Sequence, residues 1–460
     1  MKGGLSLLLA ATAVAQPTPT PTPMPTPAPV QLAFGVMTYQ KPGRSVEQTY
    51  EDFARLMGVL YQGEENHVYV LHVDIKSEDA LLQQIYGDFC APRSNCDYIA
   101  PRNIAWAGLT TGEMMLALMH KALEFDKRGG IVSEARQQSP SSWDYFVLVG
   151  HESVPLYPLA YIEAFLASAQ PGTNFINCWP VQGYDFFGQW EDNTYRLEEV
   201  VVDSFDGQLL EQERAELQRR VPQDMRFFKS IQLVVLSAAF CKFACYGQTT
   251  RRILLYLANV KTSDEMLLPT ILQSSPDLAT TATCDTTLHF THWIRPGGSW
   301  HPEYLTLEHL PLLLNTTRHL FARKFVLPLS QTVLTAIGMF RSSQFAANFV
   351  ARHLPRSIMD EPGECAVVFG AWLPGQVREH MLEVLNRPEE DESLKAIASR
   401  GLLIMHAATA SDNEGEDAAS VTMVALGLLS DLRAQRDAIE SQKFFDMLAE
   451  MHDHHHRDDE

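Results

Sequence analysis

A chain of 460 residues, 46% hydrophobic and 20% charged, can bury a large core and has the bulk composition of an ordinary soluble globular protein. Its net charge of −20 and pI near 5.2 exclude binding of a nucleic-acid backbone over an extended surface and leave room only for a local basic pocket. The length fits two to three average domains or one large α/β domain with additions.

Residues 1–15 stand apart. Lys2 precedes a short apolar run with a small-x-small ending, the layout of a secretory signal. The run is shorter than the roughly twenty residues of a spanning helix, so it reads as a signal peptide or short anchor. Residues 16–31 are a Pro/Thr-rich linker, an extended stem with threonines open to O-glycosylation. Seven cysteines (Cys90, Cys96, Cys178, Cys241, Cys245, Cys284 and Cys365) suit up to three disulfides and one free thiol in an oxidising compartment. Cys90 and Cys96 enclose a loop short enough to staple. There is no C-x-x-C pair to favour zinc, and Cys241 and Cys245 sit in an apolar run where burial is the expected role. Asn315-Thr316-Thr317 is a glycosylation acceptor by rule.

From residue 32 the pattern is α/β. Residues 32–39 read as a buried strand closed by Lys41-Pro42-Gly43, and 49–61 as a helix with Phe53, Leu56, Met57 and Leu60 on one face. Residues 67–74 are a second strand ending in an acid, Asp74. This order implies a parallel pair whose ligand edge lies at the carboxyl ends of the strands. A helix over 80–86, the cysteine loop and a long helix over 110–125 follow, the last with a Met-rich side that reads as core. Residues 143–150 form the next buried strand, and the polar turn Gly150-His151-Glu152-Ser153 at its end is placed to meet a ligand. A helix is expected over 157–169.

Residues 174–206, rich in aromatic, Gly and Asn residues without periodicity, read as a long functional loop whose aromatic faces suit sugar stacking. A helix over 233–246 and then the stretch 251–260 lead to Ser263-Asp264-Glu265, which opens an amphipathic run with Ser263 as N-cap and two carboxylates at its mouth. Residues 287–293 look like a late strand. Past about 346 the character shifts. Acidic breaks at 388–392 and 411–417 and an acidic, His-rich tail mark a C-terminal extension over 347–460, distinct from a domain over 32–346.

Five stretches, in this order, resemble the core-2/I-branching N-acetylglucosaminyltransferase family, which includes the peptide O-xylosyltransferases and related plant proteins. They are Leu71-His72-Val73-Asp74-Ile75-Lys76-Ser77, Trp143-Asp144-Tyr145-Phe146-Val147-Leu148 with Glu152-Ser153-Val154-Pro155-Leu156, Ser263-Asp264-Glu265, His301-Pro302 and Phe321-Ala322-Arg323-Lys324-Phe325. The similarity runs from about residue 33 to 325. It implies a glycosyltransferase-A type α/β fold, Rossmann-like, with a mostly parallel sheet flanked by helices. It further implies an inverting transfer from a UDP-sugar to an acceptor hydroxyl on a glycan or glycoprotein, without metal or cofactor. The sequence agrees on one point: no D-x-D follows a strand. The implied compartment is the secretory pathway, in the Golgi lumen or membrane or secreted, with membrane association through the N-terminal segment.

Carried over residue by residue, the catalytic base falls on Glu265, the contact to the donor diphosphate on Lys324, the matching xylosyltransferase-type cation on Arg323, and a nucleotide-side acid on Asp74. Glu152 and His151 are candidates for the acceptor side. Two departures stand out. Some members carry Trp in a Gly-Ser-Gln-Trp segment where this chain has Lys229-Ser230-Ile231-Gln232-Leu233, and the branching enzymes use an Arg where this chain has His301, with Arg295 a candidate substitute. Donor identity therefore stays open between N-acetylglucosamine and xylose.

Elementary chemistry asks for the same residues. A hydroxyl attacking an anomeric carbon must lose its proton as the bond forms, so one carboxylate within reach serves as base. The departing diphosphate develops charge, and without a metal ion fixed Lys and Arg side chains must stabilise it. Two alternatives remain: a catalytically inactive secreted carbohydrate-binding protein of the same fold, and a glycosidase using two carboxylates. The second leaves Arg323 and Lys324 with no anion to hold.

Overall fold

The computed structural model describes residues 30–457 except 64–66, 128–142, 182–193, 199, 204–208, 212–219, 294–300, 317, 343–368, 370–371 and 410–416. The signal or anchor segment, nearly all of the linker, Arg295, Cys365, the 411–416 break and the aromatic residues Tyr184, Phe186, Phe187 and Trp190 lie outside the described residues, as do the side chains of the His-rich tail.

The chain opens with strand β1 (Leu32–Thr38), helix α1 (Val46–Leu60) and strand β2 (Val68–Val73). Ser45 caps α1 through a capping box with Gln48, which is why the helix starts three residues before its first apolar turn suggests. β1 and β2 pair in parallel, as the strand–helix–strand order requires. A short helix, Asp79–Leu82, runs into a π-helical turn, Gln83–Cys90, and strand β3 (Cys96–Tyr98) adds to β2 in parallel. Helix α2 (Leu109–Lys127) crosses to strand β4 (Tyr145–Gly150), which pairs in parallel with β1 on its other side.

Short strand β5 (Val154–Pro155), helix α3 (Leu159–Ser168) and strand β6 (Asn174–Asn177) follow, and then strand β7 (Val235–Ser237). Helices α4 (Ala238–Tyr246), α5 (Gln248–Leu257) and α6 (Ser263–Gln273) precede strand β8 (Ala282–Cys284). These strands form a seven-stranded sheet of order β8-β6-β7-β4-β1-β2-β3, in which β7 alone runs antiparallel to its neighbours. A second sheet joins strand β9 (His289–Thr291), strand β10 (Phe321–Arg323) and β5, in the order β9-β10-β5.

Alternating residues of the central strands divide between two buried clusters. Leu32, Phe34 and Val36 of β1 and Tyr145, Val147 and Val149 of β4 face one side, with α1 and α3. Ala33, Phe146 and Leu148 face the other, where α2 contributes Met114, Met115, Leu118 and Met119 and α6 contributes Met266, Leu267 and Ile271. Burial on both faces explains why these strands read as near-continuous apolar runs. Gly35 is part of that packing, since a Cβ there would lie 2.3 Å from Phe146 Cζ.

Four expectations need correction. The region 174–206 contains β6, an interior strand of the main sheet, with further short strands at Trp179–Pro180 and Val201–Asp203. The apolar run over 233–246 is a strand followed by a helix, because Ser237 accepts a hydrogen bond from Phe240 N–H and so starts α4 five residues late. Ser263 is the first residue of α6, whereas Thr262 takes the cap position with φ +59° and no side-chain capping bond. The described cysteines form two disulfides, Cys90–Cys96 and Cys178–Cys284, and Cys241 and Cys245 are free thiols.

The C-terminal extension folds as helices α9 (Trp372–Asn386), α10 (Glu392–Thr409) and α11 (Asp417–Arg457), after α7 (Leu310–Leu314) and α8 (Gln331–Ser342). Its Leu373, Val377, Met381, Leu426, Leu429 and Leu432 belong to the same buried cluster as Leu305, Leu307 and Leu310. The extension therefore shares a core with the sheet-bearing part. No described helix is long and apolar enough to cross a membrane.

Candidate active site

Glu265, Arg323 and Lys324 line one cleft, together with Trp106, Thr262, Asp264 and His301. The carboxylates come from the first turn of α6 and the cations from the end of β10, about sixty residues apart in sequence but facing each other across this space.

Pro269 shapes the carboxylate side. A helical residue at that position would donate its N–H to the carbonyl of Glu265, four residues back, and proline has no N–H to give. The freed carbonyl instead accepts from Ser230 N–H at 2.9 Å, which ties the 229–232 segment to α6. Lys229 then reaches the Glu265 carboxylate at 3.1 Å. Gly112 of α2 sits where any Cβ would lie 2.8 Å from Leu267 Cδ2, and so lets α2 approach the same turn. Ala107 and Thr262 both adopt left-handed backbone (φ +61° and +59°) and are joined by Thr262 N–H to the Ala107 carbonyl at 2.7 Å. Two non-glycine residues in that region store about 1–2 kcal/mol each, and both border the cleft.

Asp264 is buried beside Glu265, and its Oδ1 has no hydrogen-bond partner among the described residues. Burial and the neighbouring Glu265 charge push its carboxyl up to about 7. Across the cleft, burial and then Arg323 lower the Lys324 ammonium to about 8. Burial lowers Arg323 as well, partly offset by Glu152, Glu265 and Asp264. Neither cation makes an ion pair with a described residue. Two half-buried positive groups with no direct ion-pair partner among the described residues form an anion site in waiting.

The other sequence candidates lie beside this cleft and do not line it. Asp74 follows β2 at the carboxyl edge of the sheet, where Lys76 occupies it through Nζ at 2.8 Å and its backbone N–H at 2.9 Å. Glu152, after β4, pairs with Lys41 at 2.7 Å. Burial alone would raise its carboxyl, but His151, Lys41 and Lys324 outweigh that and hold it below the usual range. His151 is buried, and the loss of hydration lowers it to about 4, so it is neutral at physiological pH. Glu152 thus faces the cations of the site.

Residues that the sequence does not mark line or border the cleft. Trp106 is 56% exposed and meets the His301 ring at 5.0 Å across the mouth, and Lys229 and Lys41 partner the two carboxylates named above. Trp106 has one signal in the sequence, an aromatic residue two before Gly108 just ahead of a helix. Among the described residues His292, Glu303 and His309 bring ligand atoms within 4.8 Å of one another, a spacing a metal ion could use, but the Arg433 guanidinium already reaches Glu303 at 2.6 Å.

The described residues form a mostly parallel α/β sheet flanked by helices, an architecture consistent with the glycosyltransferase-A type, and bring acids and cations together in one cleft. The family model described as "Branch: Core-2/I-Branching enzyme" matches residues 43–312, more than half of the chain, and the protein belongs to that family. Glycosyltransferase activity, with a sugar donor and a glycan acceptor, is what the family performs. The comparison with curated proteins found no match.

Proposed function

We propose that the protein is an inverting glycosyltransferase that moves N-acetylglucosamine or xylose from a UDP-sugar to an acceptor hydroxyl on a glycan or glycoprotein. The observation that carries this reading is the convergence on one cleft of a carboxylate, Glu265, and two cations, Arg323 and Lys324, that make no direct ion pair with a described residue. Glu265 takes the acceptor proton while the acceptor oxygen bonds to the anomeric carbon from the face opposite the diphosphate. The bond from that carbon to the β-phosphate oxygen breaks, and its electron pair leaves with UDP. Arg323 and Lys324 stabilise that charge by direct hydrogen bonds, a task that otherwise falls to a metal ion. In this reading Asp74 lies on the nucleotide side, held by Lys76. Glu152, expected at the acceptor with His151, is better employed in orienting Lys41 and Lys324.

Two disulfides and an exposed Asn315 in its acceptor sequence support a place in the secretory pathway, in the Golgi or beyond it. The test is UDP release from a panel of UDP-sugars, with chelator present. The parent should turn over one of them, and Glu265→Gln should lose about 10²–10⁴-fold in kcat. Equal rates for parent and variant would remove Glu265 as the base. A parent that binds UDP-sugars without releasing UDP would instead be a carbohydrate-binding protein of the same fold.

A further inference from the structure

We propose that α11, which lies outside the family-matched region, is a working part of the donor site, and that Arg433 is a positioning residue for Lys324 acting through Glu303. This rests on the donor role assigned to Lys324 above. The segment 303–305 is the link. Lys324 N–H donates to the Glu303 carbonyl at 3.4 Å, and Leu305 N–H donates to the Lys324 carbonyl at 2.7 Å, so both backbone groups of Lys324 are held by this segment. Between them the Tyr304 hydroxyl accepts from Lys41 at 2.8 Å, and Lys41 also holds Glu152. The Glu303 side chain points the other way, to α11, where Arg433 meets it at 2.6 Å. One turn on, Arg436 grips Glu308 with Nε at 3.0 Å and Nη2 at 3.1 Å, while His380 reaches the same carboxylate at 2.9 Å.

These charges are not needed to attach the helix, since Leu426, Leu429 and Leu432 already bury it against Leu305 and Leu310. The Arg433 side chain is only 5% exposed, and burying an ion pair usually gives up as much in hydration as it gains in attraction. What it does supply is direction: two guanidinium–carboxylate contacts fix the 303–309 segment in position and rotation where it abuts Lys324. Arg433 also pairs with Asp437, which sits 3.5 Å from His292, so the guanidinium is tied to two carboxylates that border the His292, Glu303 and His309 group.

The experiment compares the full-length protein with Arg433→Gln, Arg433→Lys, Glu303→Gln and Arg400→Gln. Arg400 is the control for removing an arginine that ties α11 to the extension, because its exposed contact between α10 and α11, to Asp431 at 3.9 Å, has no link to segment 303–309. Donor KM and kcat are read from UDP release, and UDP affinity by calorimetry. Arg433→Gln and Glu303→Gln should raise donor KM and UDP Kd about tenfold with a smaller change in kcat, Arg433→Lys should recover part of the loss, and Arg400→Gln should match the parent. If Arg433→Gln does not fold, Glu303→Gln, which keeps the side-chain shape, decides. An active parent whose Arg433 and Glu303 variants bind UDP as it does, or no worse than the Arg400 variant, overturns the proposal. A parent that neither binds UDP nor turns over any donor overturns the transferase reading, and this proposal with it.

Discussion

Asp264 offers a stability test that is independent of turnover. It is buried next to Glu265 with one oxygen unpartnered, and burial followed by that neighbour's charge takes its carboxyl from 3.8 to about 7. The folded state therefore holds a proton at pH values where the unfolded chain has released it. Stability that depends on this group is highest below the unfolded value, falls as pH rises through the window from about 4 to 7, and is lost in full above it. A difference of about three pKa values corresponds to roughly 4 kcal/mol at most, shared within the Asp264–Glu265 pair. Asp264→Asn keeps the shape and removes the charge. Denaturant unfolding of parent and variant, followed by circular dichroism from pH 4.5 to 8.5, should show the two alike at the acid end. The variant should be more stable by about 2–4 kcal/mol at the alkaline end. Taking the difference between the two curves cancels the titrating groups that do not interact with Asp264 and reads the Asp264–Glu265 pair. A difference that does not grow with pH, or an Asn variant that is the weaker protein at pH 8, would refute the assignment of Asp264 as a buried, charge-averse acid.

Lys324 titrates at about 8 because burial and Arg323 oppose its charge, and only the charged form can hold a diphosphate. Donor KM should be level below pH 7 and climb up to about tenfold per pH unit above 8. Lys324→Arg, which keeps its charge throughout, should flatten that rise, and a flat parent profile to pH 9.5 would count against the role of Lys324. Gly35→Ala places a Cβ 2.3 Å from Phe146 Cζ at the centre of the sheet, and thermal unfolding should show a loss of about 1–3 kcal/mol. Replacing Cys178 and Cys284 by Ser opens a link across 106 residues between the ends of β6 and β8, and should cost about 2–5 kcal/mol in denaturant unfolding of the oxidised protein.

The first half of the main sheet is legible in the sequence because its strands are buried on both faces and its connections are local: apolar runs at β1, β2 and β4, a capped helix between the first two, and an acid or polar turn where each strand ends. β6 escapes such reading. Its four residues, Asn-Phe-Ile-Asn, carry no run, and its place is secured by partners far along the chain, with Asn174 Oδ1 accepting from Ser237 N–H and its amide donating to Thr281. The site divides in the same way. Glu265, Arg323 and Lys324 stand out as candidates only through the order of five motifs, since an Asp-Glu pair or an Arg-Lys pair alone is ordinary surface charge, and the structure brings the three to one cleft. Lys229 could not be paired with Glu265 from spacing, although the physical cause of their contact is written in one residue. Pro269 deprives the Glu265 carbonyl of its helical donor, Ser230 supplies another, and Lys229 is carried to the carboxylate with it. A proline inside an apolar helical run, four residues after an acid, therefore marks a point where some other segment must dock, even though the sequence does not say which.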